Sequence, residues 1–452
     1  MTEQEKRNIY AKISASNKKL PNVGIVFHFL KRSYLENQSS YYCWRKSISF
    51  GERQNVYGMQ RRYFIQDIAI ALEEIRQNIP KIDEYIVGID SASNENMEEP
   101  WMYASAYKTV RSHNITKPVA MFGREERYNR IQNIGLTYHV GEDFRHILSG
   151  FRHIDEVLTE FGYKPGDRLG HALVLGVDIK EWIRNNEIIA LPTIEYMEDL
   201  LWLWGINLYS GIELGISLEI LEDKILTLAQ EMYKGYETIT VRMLYSAYKE
   251  KFKCNHKEIA QKYVGDNNNF CRWNEENKEC YGRWNEDKLL LTYYCPVFQK
   301  KYNKTVLVSV NLEQATIYQK IQDYLVKKTE EKGVYIEMNP TSNETIGDFS
   351  NLTKHPIFYL NPASKDFMHR AMVTVNSDDP LVFSTNVENE MAYIYYAAEA
   401  QGISKEEILE WIEKIRTHGM NASFIQQEKS NIQVLNELDK MINIIEKKQY
   451  KL

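Results

Sequence analysis

Six short apolar or β-branched runs punctuate the chain, each ending in polar residues or turn formers. They are NVGIVFHFL (22–30), EYIVGID (84–90), IGLTYHV (134–140), RLGHALVL (168–175), GVYIEMN (333–339) and AMVTVNS (371–377). Runs of this length and composition read as buried strands. Helical patterns separate most of them. In YFIQDIAIALEEIRQNI (63–79), Ile65, Ile68, Ile70, Leu72 and Ile75 form an apolar face. A second helix is expected after Glu142, through FRHILSGFRHIDEVLTEFG, with Gly162 suited to the position just past its end. Strands alternating with helices predict an α/β fold on a parallel sheet, open or closed into a barrel.

The fourth and fifth runs lie about 160 residues apart, too far for a simple βα connection. The interval opens with a helical stretch and continues as a polar, Asn-rich one, in which RWNEENKECYG is echoed by RWNEDKLLLTY. The echo is too short for a repeat architecture and reads as two surface turns with tryptophan anchors. The pattern divides the chain into a first barrel part at 1–181, an inserted, mostly helical domain at 182–330, a second barrel part at 331–400 and C-terminal helices at 401–452.

Composition narrows the function classes. A chain of 452 residues with net charge −6 has no global electrostatic drive toward nucleic acid or anionic membrane. The charged N-terminus lacks the apolar centre of a signal peptide. LLWLWGINLYSGIELGI (200–216) is too short for a membrane span and contains Glu213, so it reads as a buried helix. Cys254, Cys271, Cys280 and Cys295 share one region without CxxC spacing; reduced thiols in a cytoplasmic protein are expected.

The candidate chemistry lies at the C-terminal ends of the runs, where parallel α/β sheets place their sites. Asp90 and Glu95 end the second, His139 and Glu142 the third. His171 lies in the fourth; Asn339, Ser342 and Asn343 end the fifth; Asp378 and Asp379 end the sixth. Any one of the acidic residues also reads as a helix N-cap. As a set they suit hydrolytic metal chemistry, which needs imidazole and carboxylate ligands and a nearby acid to move protons.

YHVGED, DRLGHA, IEMNPTSN and VNSDDP, in that order, together with GIDSASNE and HPIFYL, resemble the adenosine and AMP deaminase family of metal-dependent (β/α)₈ barrels. The similarity covers roughly 20–180 and 330–400. The long insert and IDSASNE are most similar to the large bacterial antiphage deaminases, including the RADAR deaminase subunit and the CRISPR-associated ATP deaminases. The resemblance implies Zn²⁺ held by His139 and Asp378. It implies Glu142 as proton donor to the purine ring and His171 as the group that positions the attacking water. It implies substrate contacts from Asp379 and from the tip carrying Asp90, Ser93 and Glu95. A partly desolvated pocket that raises the Glu142 pKa is expected. Ser93 stands where simple adenosine deaminases have glycine, which favours a nucleotide over a nucleoside.

The family's first strand carries His-x-His, and none of the ten histidines here forms that pattern. About 60 residues separate His28 from Asp90, room for one βα unit. GIVFHFLKR therefore matches the family's third strand, and the chain supplies six of eight. An open six-stranded piece would expose two sheet edges and one side of its core. Another polypeptide completing the barrel, a start upstream of the recorded one, or a degraded remnant each fit. His28 is expected to hydrogen-bond in the pocket, Lys31 and Arg32 to form a solvated basic turn or meet substrate phosphate, and His146 and His153 to serve the surface or core. The function implied is zinc-dependent deamination of adenosine or adenine nucleotides, ATP to ITP included, by an oligomer or with a complementing polypeptide. The alternative is a silent assembly subunit acting through its insert, whose Trp202, Trp204, Trp273 and Trp284 suit a contact surface or a core.

Overall fold

The computed structural model describes residues 3–16, 18–32, 58–112, 132–233, 235–253, 283–347, 351–365, 368 and 370–447. Eight strands form among them: β1 (Ile25–Leu30), β2 (Ile86–Ala92), β3 (Gly135–Val140), β4 (Arg168–His171), β5 (Ile188–Pro192), β6 (Thr305–Ser309), β7 (Tyr335–Met338) and β8 (Val373–Val375). Six of them pair in the order β1-β2-β3-β4-β7-β8, every pair parallel. Each barrel strand adds beside the one before it. A doubly wound sheet reverses direction at a switch point, and this sheet does not. The architecture is that of a partial TIM barrel.

The helix expected over 63–79 spans Met59–Asn78. The one expected after Glu142 spans Ile147–Glu160, and Gly162 beyond it has φ +74°, the left-handed conformation that glycine adopts without strain. The fourth run is shorter as a strand than its apolar pattern suggests. His171 (φ +61°) and Ala172 (φ +46°) turn left-handed, the ladder stops, and Leu173–Leu175 close a 3₁₀ turn.

The insert contains more than helices. β5 and β6 pair antiparallel, Ile188 opposite Ser309 and Pro192 opposite Thr305, and so draw its two ends together. Between them lie helices Thr193–Tyr209, Leu218–Met232, Val241–Glu250, Glu286–Tyr293 and Pro296–Tyr302. One apolar core runs from Leu136, Tyr138 and Phe151 of the barrel to Trp202, Trp204, Phe252 and Phe298 of the insert. Trp202, Trp204 and Trp284 are buried in it and offer no contact surface. Trp273, Cys254, Cys271 and Cys280 lie outside the described residues, and Cys295 is buried. The apolar stretch at 200–216 is helical only to Tyr209, and no helix among the described residues is long and apolar enough to cross a membrane.

Part of the core expected to lie open is covered from below. The segment after helix Lys405–Asn421 passes under the N-terminal ends of the strands and lays Phe424 against glycines. A Cβ at Gly88 would stand 2.6 Å from the Phe424 ring, and Gly135 is closer still. The Arg168 guanidinium lies 3.9 Å from the centre of that ring, and its Nη1 donates to the Ala422 carbonyl at 3.1 Å. The sheet edges remain as expected: among the described residues β1 pairs only with β2, and β8 only with β7.

His146 and His355 are both buried, and each accepts a backbone N–H at a helix start. His146 Nδ1 takes that of Leu148 at 3.0 Å, and His355 Nδ1 that of Ile357 at 3.1 Å. Burial lowers them to about 4 and about 3. The unfolded chain therefore binds protons first, so both groups cost stability as pH falls below about 6.5. The His146→Asn variant keeps an N-cap acceptor that does not titrate. Urea unfolding at pH 7.5 and 4.5 should show the variant losing less stability than the parent, by about 2–3 kcal/mol.

Candidate active site at the strand tips

Parallel pairing sets the C-terminal ends of β2, β3, β4, β7 and β8 side by side, and most of the expected residues meet there. Ring nitrogens of His139 and His171 and a carboxylate oxygen of Asp378 all lie within 4.8 Å of one another. The His139 and His171 ring centres are 4.7 Å apart. Glu142 Oε1 lies 3.0 Å from His171 Nδ1, and Asp378 Oδ2 lies 3.9 Å from His171 Nε2. His171 and Asp378 (φ +53°) both hold left-handed backbone, a strain that tightly packed functional sites sustain.

Each side chain is held by a distinct neighbour. Asp90, buried on β2, meets His139 Nδ1 with Oδ2 at 2.9 Å and Oδ1 at 3.1 Å. Oδ1 also accepts the Ser91 N–H at 2.6 Å, so both oxygens are engaged within the fold. The pairing leaves His139 Nε2 as the free nitrogen, the arrangement in which a carboxylate orients a metal-ligating histidine. Burial pulls the His139 pKa down, but the charge and hydrogen bond of Asp90 outweigh it and lift it to about 9. On the other side, Gly170 stands in register with His139, and a Cβ there would come within 3.0 Å of the His139 ring and backbone. The glycine of DRLGHA is therefore the space that His139 occupies.

Glu95 is held within the fold as well. It is buried, and its carboxylate accepts the N–H groups of Gly141 at 2.6 Å and Glu142 at 3.3 Å, which fixes the bend after β3. Ser93 is exposed with φ +80°, a conformation natural to the glycine of the related motif. Asp379 lies on the exposed turn after β8; its carbonyl accepts from Val382 and Phe383, both at 3.0 Å.

The Glu142 carboxyl departs from expectation. Burial favours its neutral form, but the hydrogen bond and charge of His171, the charge of His139 and an N–H from Asn343 outweigh burial and hold it below the ordinary carboxylate range.

Other residues at these tips take places that the sequence patterns named without specifying their contacts. Lys31 is neither solvated nor open to phosphate: it is buried, donates to the His139 carbonyl at 2.6 Å and lies 4.3 Å from the centre of the Tyr138 ring. Asn343 bridges Glu142 and His171. His28 is half-exposed, with Nδ1 3.5 Å from Asp90 Oδ2. Ser342 Oγ and Asn339 Oδ1 are buried here without a hydrogen-bond partner, as at a site built for a polar ligand. Two imidazoles and a carboxylate fit zinc by type, and the convergence of these three groups fits a single ion.

A second trio, Glu99, His153 and Glu156, also converges. There the Arg152 guanidinium already fills the space between carboxylates, with Nη1 3.0 Å from Glu99, 3.1 Å from Glu156 and 2.9 Å from Glu198. It is a buried ion network, and His153 belongs to it through Glu99 at 3.1 Å.

Comparison with known proteins bears on the same tips. Residues 317–441 match the family described as adenosine deaminase, a stretch that includes Asn343, Asp378 and Asp379. The sequence comparisons support the deaminase family. An adenine deaminase of Rhizobium leguminosarum bv. trifolii is 33% identical over 104 residues, 23% of this chain and 28% of that protein. An adenine deaminase of Sinorhizobium fredii is 31% identical over 103 residues, with the same coverage of 23% and 28%. A crystal structure of an adenine deaminase from Arthrobacter aurescens aligns over 84% of this chain and 58% of its own, at 12% identity and a TM-score of 0.30. The matched stretch thus spans 28% of the length of these curated relatives. His139, Glu142 and His171 lie outside the family match, and it is the sheet that brings them to the matched aspartate.

Two substitutions probe this geometry. Gly170→Ala should push His139 off Asp90, cost about 1–3 kcal/mol in urea unfolding and weaken zinc binding at least tenfold in a chelator competition. Ser93→Gly should relieve left-handed strain and, net of the entropy glycine loses on folding, raise stability by about 0.5 kcal/mol in the same unfolding assay.

Proposed function

We propose that this chain carries the larger part of a zinc-dependent hydrolase that removes the amino group of adenosine or an adenine nucleotide as ammonia. The observation that carries the reading is the meeting of His139, His171 and Asp378, whose ring nitrogens and carboxylate oxygen lie within 4.8 Å of one another, with Glu142 in hydrogen-bond reach of His171. His139 and Asp378 are the residues that would hold zinc, joined by ligands from outside the described residues. Bound there, zinc supplies the Lewis acidity that activates water at neutral pH.

The chain's own groups do the rest. Asp90 keeps His139 in one tautomer and orientation. Glu142 donates a proton to the purine ring nitrogen, His171 orients the attacking water, and Asp379 binds the five-membered ring. Ser93 and Glu95 shape the tip beside the substrate, Glu95 by pinning the Glu142 backbone. The network that holds the Glu142 carboxyl below its ordinary range must yield to substrate for it to act as an acid, which makes proton uptake part of substrate binding.

The unpaired edges of β1 and β8 support a completing βα pair that lies between them and brings the remaining ligands, on a preceding segment or a separate polypeptide. Exposed Ile25 and Leu30 on β1, and Leu381 and Val382 beyond β8, give that gap apolar rims. The long insert and the serine at position 93 favour a nucleotide substrate, ATP included, and a cytoplasmic role in antiphage defence.

The experiment is to express the chain alone and with a polypeptide carrying a His-x-His strand pair, then measure zinc content and ammonia release from adenosine, AMP and ATP. The completed, zinc-loaded barrel should turn over at least one of them; absence of turnover on all three overturns the reading. Glu142→Gln should retain zinc at the parent stoichiometry while kcat falls at least about a hundredfold, because only the proton donor is lost.

A further inference from the structure

An ion pair joins the insert to the loop that carries Glu142. Arg145 stands three residues after Glu142, on the stretch between β3 and helix Ile147–Glu160. Its Nη1 donates to Oε2 of Glu195 at 2.7 Å, and its Nη2 donates to the Asn96 carbonyl at 3.3 Å. Glu195 lies on the first turn of the insert's helix Thr193–Tyr209. Asn96 follows Glu95, whose carboxylate holds the Gly141 and Glu142 N–H groups. One guanidinium therefore ties together the tip of β2, the tip of β3 and the start of the insert.

The two ends of the pair differ in exposure, and the difference decides what the pair does. The Arg145 side chain is 34% exposed and could lie free in water; that of Glu195 is 5% exposed and could not. Oε1 of Glu195 has no hydrogen-bond partner, so Arg145 supplies the carboxylate's hydrogen bond at Oε2. Asp199, four residues on along the same helix, is buried too and is already bonded to Arg152 and Ser149. Like charges at that spacing repel, so Glu195 depends on a cation from outside its helix. Packing does not replace the pair. Arg145 lies on the wall of two cavities. One, of about 230 Å³, is lined also by Glu95, Asn96, Ile194 and Glu195; the other, of about 210 Å³, is lined also by Glu142 and Asp143.

We propose that Arg145 is a positioning residue: clasped by Glu195, it holds the loop that carries Glu142 and makes the insert part of the active-site frame. For its catalytic meaning the proposal rests on the deaminase reading; the clasp itself rests on the contacts above. The buried carboxylate keeps Arg145 from turning to solvent, and so anchors the loop close to Glu142. Glu95 holds that loop from the barrel side and Arg145 from the insert side. A carboxyl that must deliver a proton to one ring atom needs a fixed position, because proton transfer requires the donor within hydrogen-bond reach of its target. Arg145 needs no contact with substrate to do this.

Hydrogen exchange of the whole chain, read by mass spectrometry, tests the clasp without turnover. The variant that combines Arg145→Met with Glu195→Leu removes both charges together and leaves no buried carboxylate unpaired, so the fold is kept while the clasp is lost. Peptides spanning 141–146 should exchange at least about tenfold faster than in the parent, and those of β4 and of 200–206 at the parent rate. Parent-like exchange at 141–146, or equally faster exchange at all three places, overturns the proposal. Arg145→Lys keeps the charge and an N–H for Glu195 and should stay within about threefold of the parent; exchange as fast as in the uncharged pair overturns the proposal too. If the uncharged pair fails to fold, Glu195→Gln serves: it weakens the acceptor, and exchange at 141–146 should rise at least about threefold, an unchanged rate overturning the proposal. In the completed barrel the uncharged pair should lower kcat at least about tenfold with KM changed less than about threefold. A rise in KM alone would make Arg145 a substrate contact and overturn the positioning role. An inactive parent counts against the deaminase reading, and the exchange rates then judge the clasp by themselves.

Discussion

His139 depends on two neighbours of opposite kind, and the site depends on His139. From β2, Asp90 grips its Nδ1 with both oxygens. From β4, Gly170 offers no side chain, and the imidazole occupies the space a Cβ would take. The grip and the gap exist because β2, β3 and β4 pair in parallel and in register, His139 directly opposite Gly170. A slip of one residue would turn every side chain of a strand to the other face. The chemistry is therefore tied to backbone register before any ligand is considered.

The tips around His139 are crowded with buried charged and polar groups, and several are held by hydrogen bonds across the sheet. Lys31 bonds the His139 carbonyl, Glu95 bonds two backbone N–H groups in the bend after β3, and Asn343 bonds Glu142 and His171. Burial alone would push Glu142 toward its neutral form and His139 toward its neutral form; in both cases a partner outweighs it. Partners across the sheet decide the protonation state more than depth does. The left-handed backbone at His171 and Asp378 belongs to the same account: strain at two positions of the candidate site is held by the surrounding frame.

The insert and the C-terminal segment stabilise this frame from two other directions. The antiparallel pair β5–β6 fastens the insert where it leaves and re-enters, and its helices share the apolar core of the barrel. Beneath the sheet, Phe424 fills the space over Gly88 and Gly135 that a closed barrel would fill with its own side chains. Among the described residues, the outer edges of β1 and β8 have no strand partner.

The sequence by itself determined the strands and their order of use. Each barrel strand announced itself as an apolar run with a polar end, and those ends named His139, Glu142, His171 and Asp378 without reference to any contact. It also showed that none of the ten histidines forms a His-x-His pair. Tertiary structure decided the roles. Asp90 and Glu95 look alike as acidic residues near a strand end, yet one serves a ring and the other a backbone bend. Lys31 reads as a surface cation and is buried against a carbonyl. Asn343 reads only as a polar residue ending the fifth run, and it stands between an acid and an imidazole. Local patterns report which face a residue takes and where a strand stops, because those depend on neighbours in sequence. Hydrogen-bond partners here lie up to about 200 residues apart, and only the closing of the sheet brings them within 3 Å of each other.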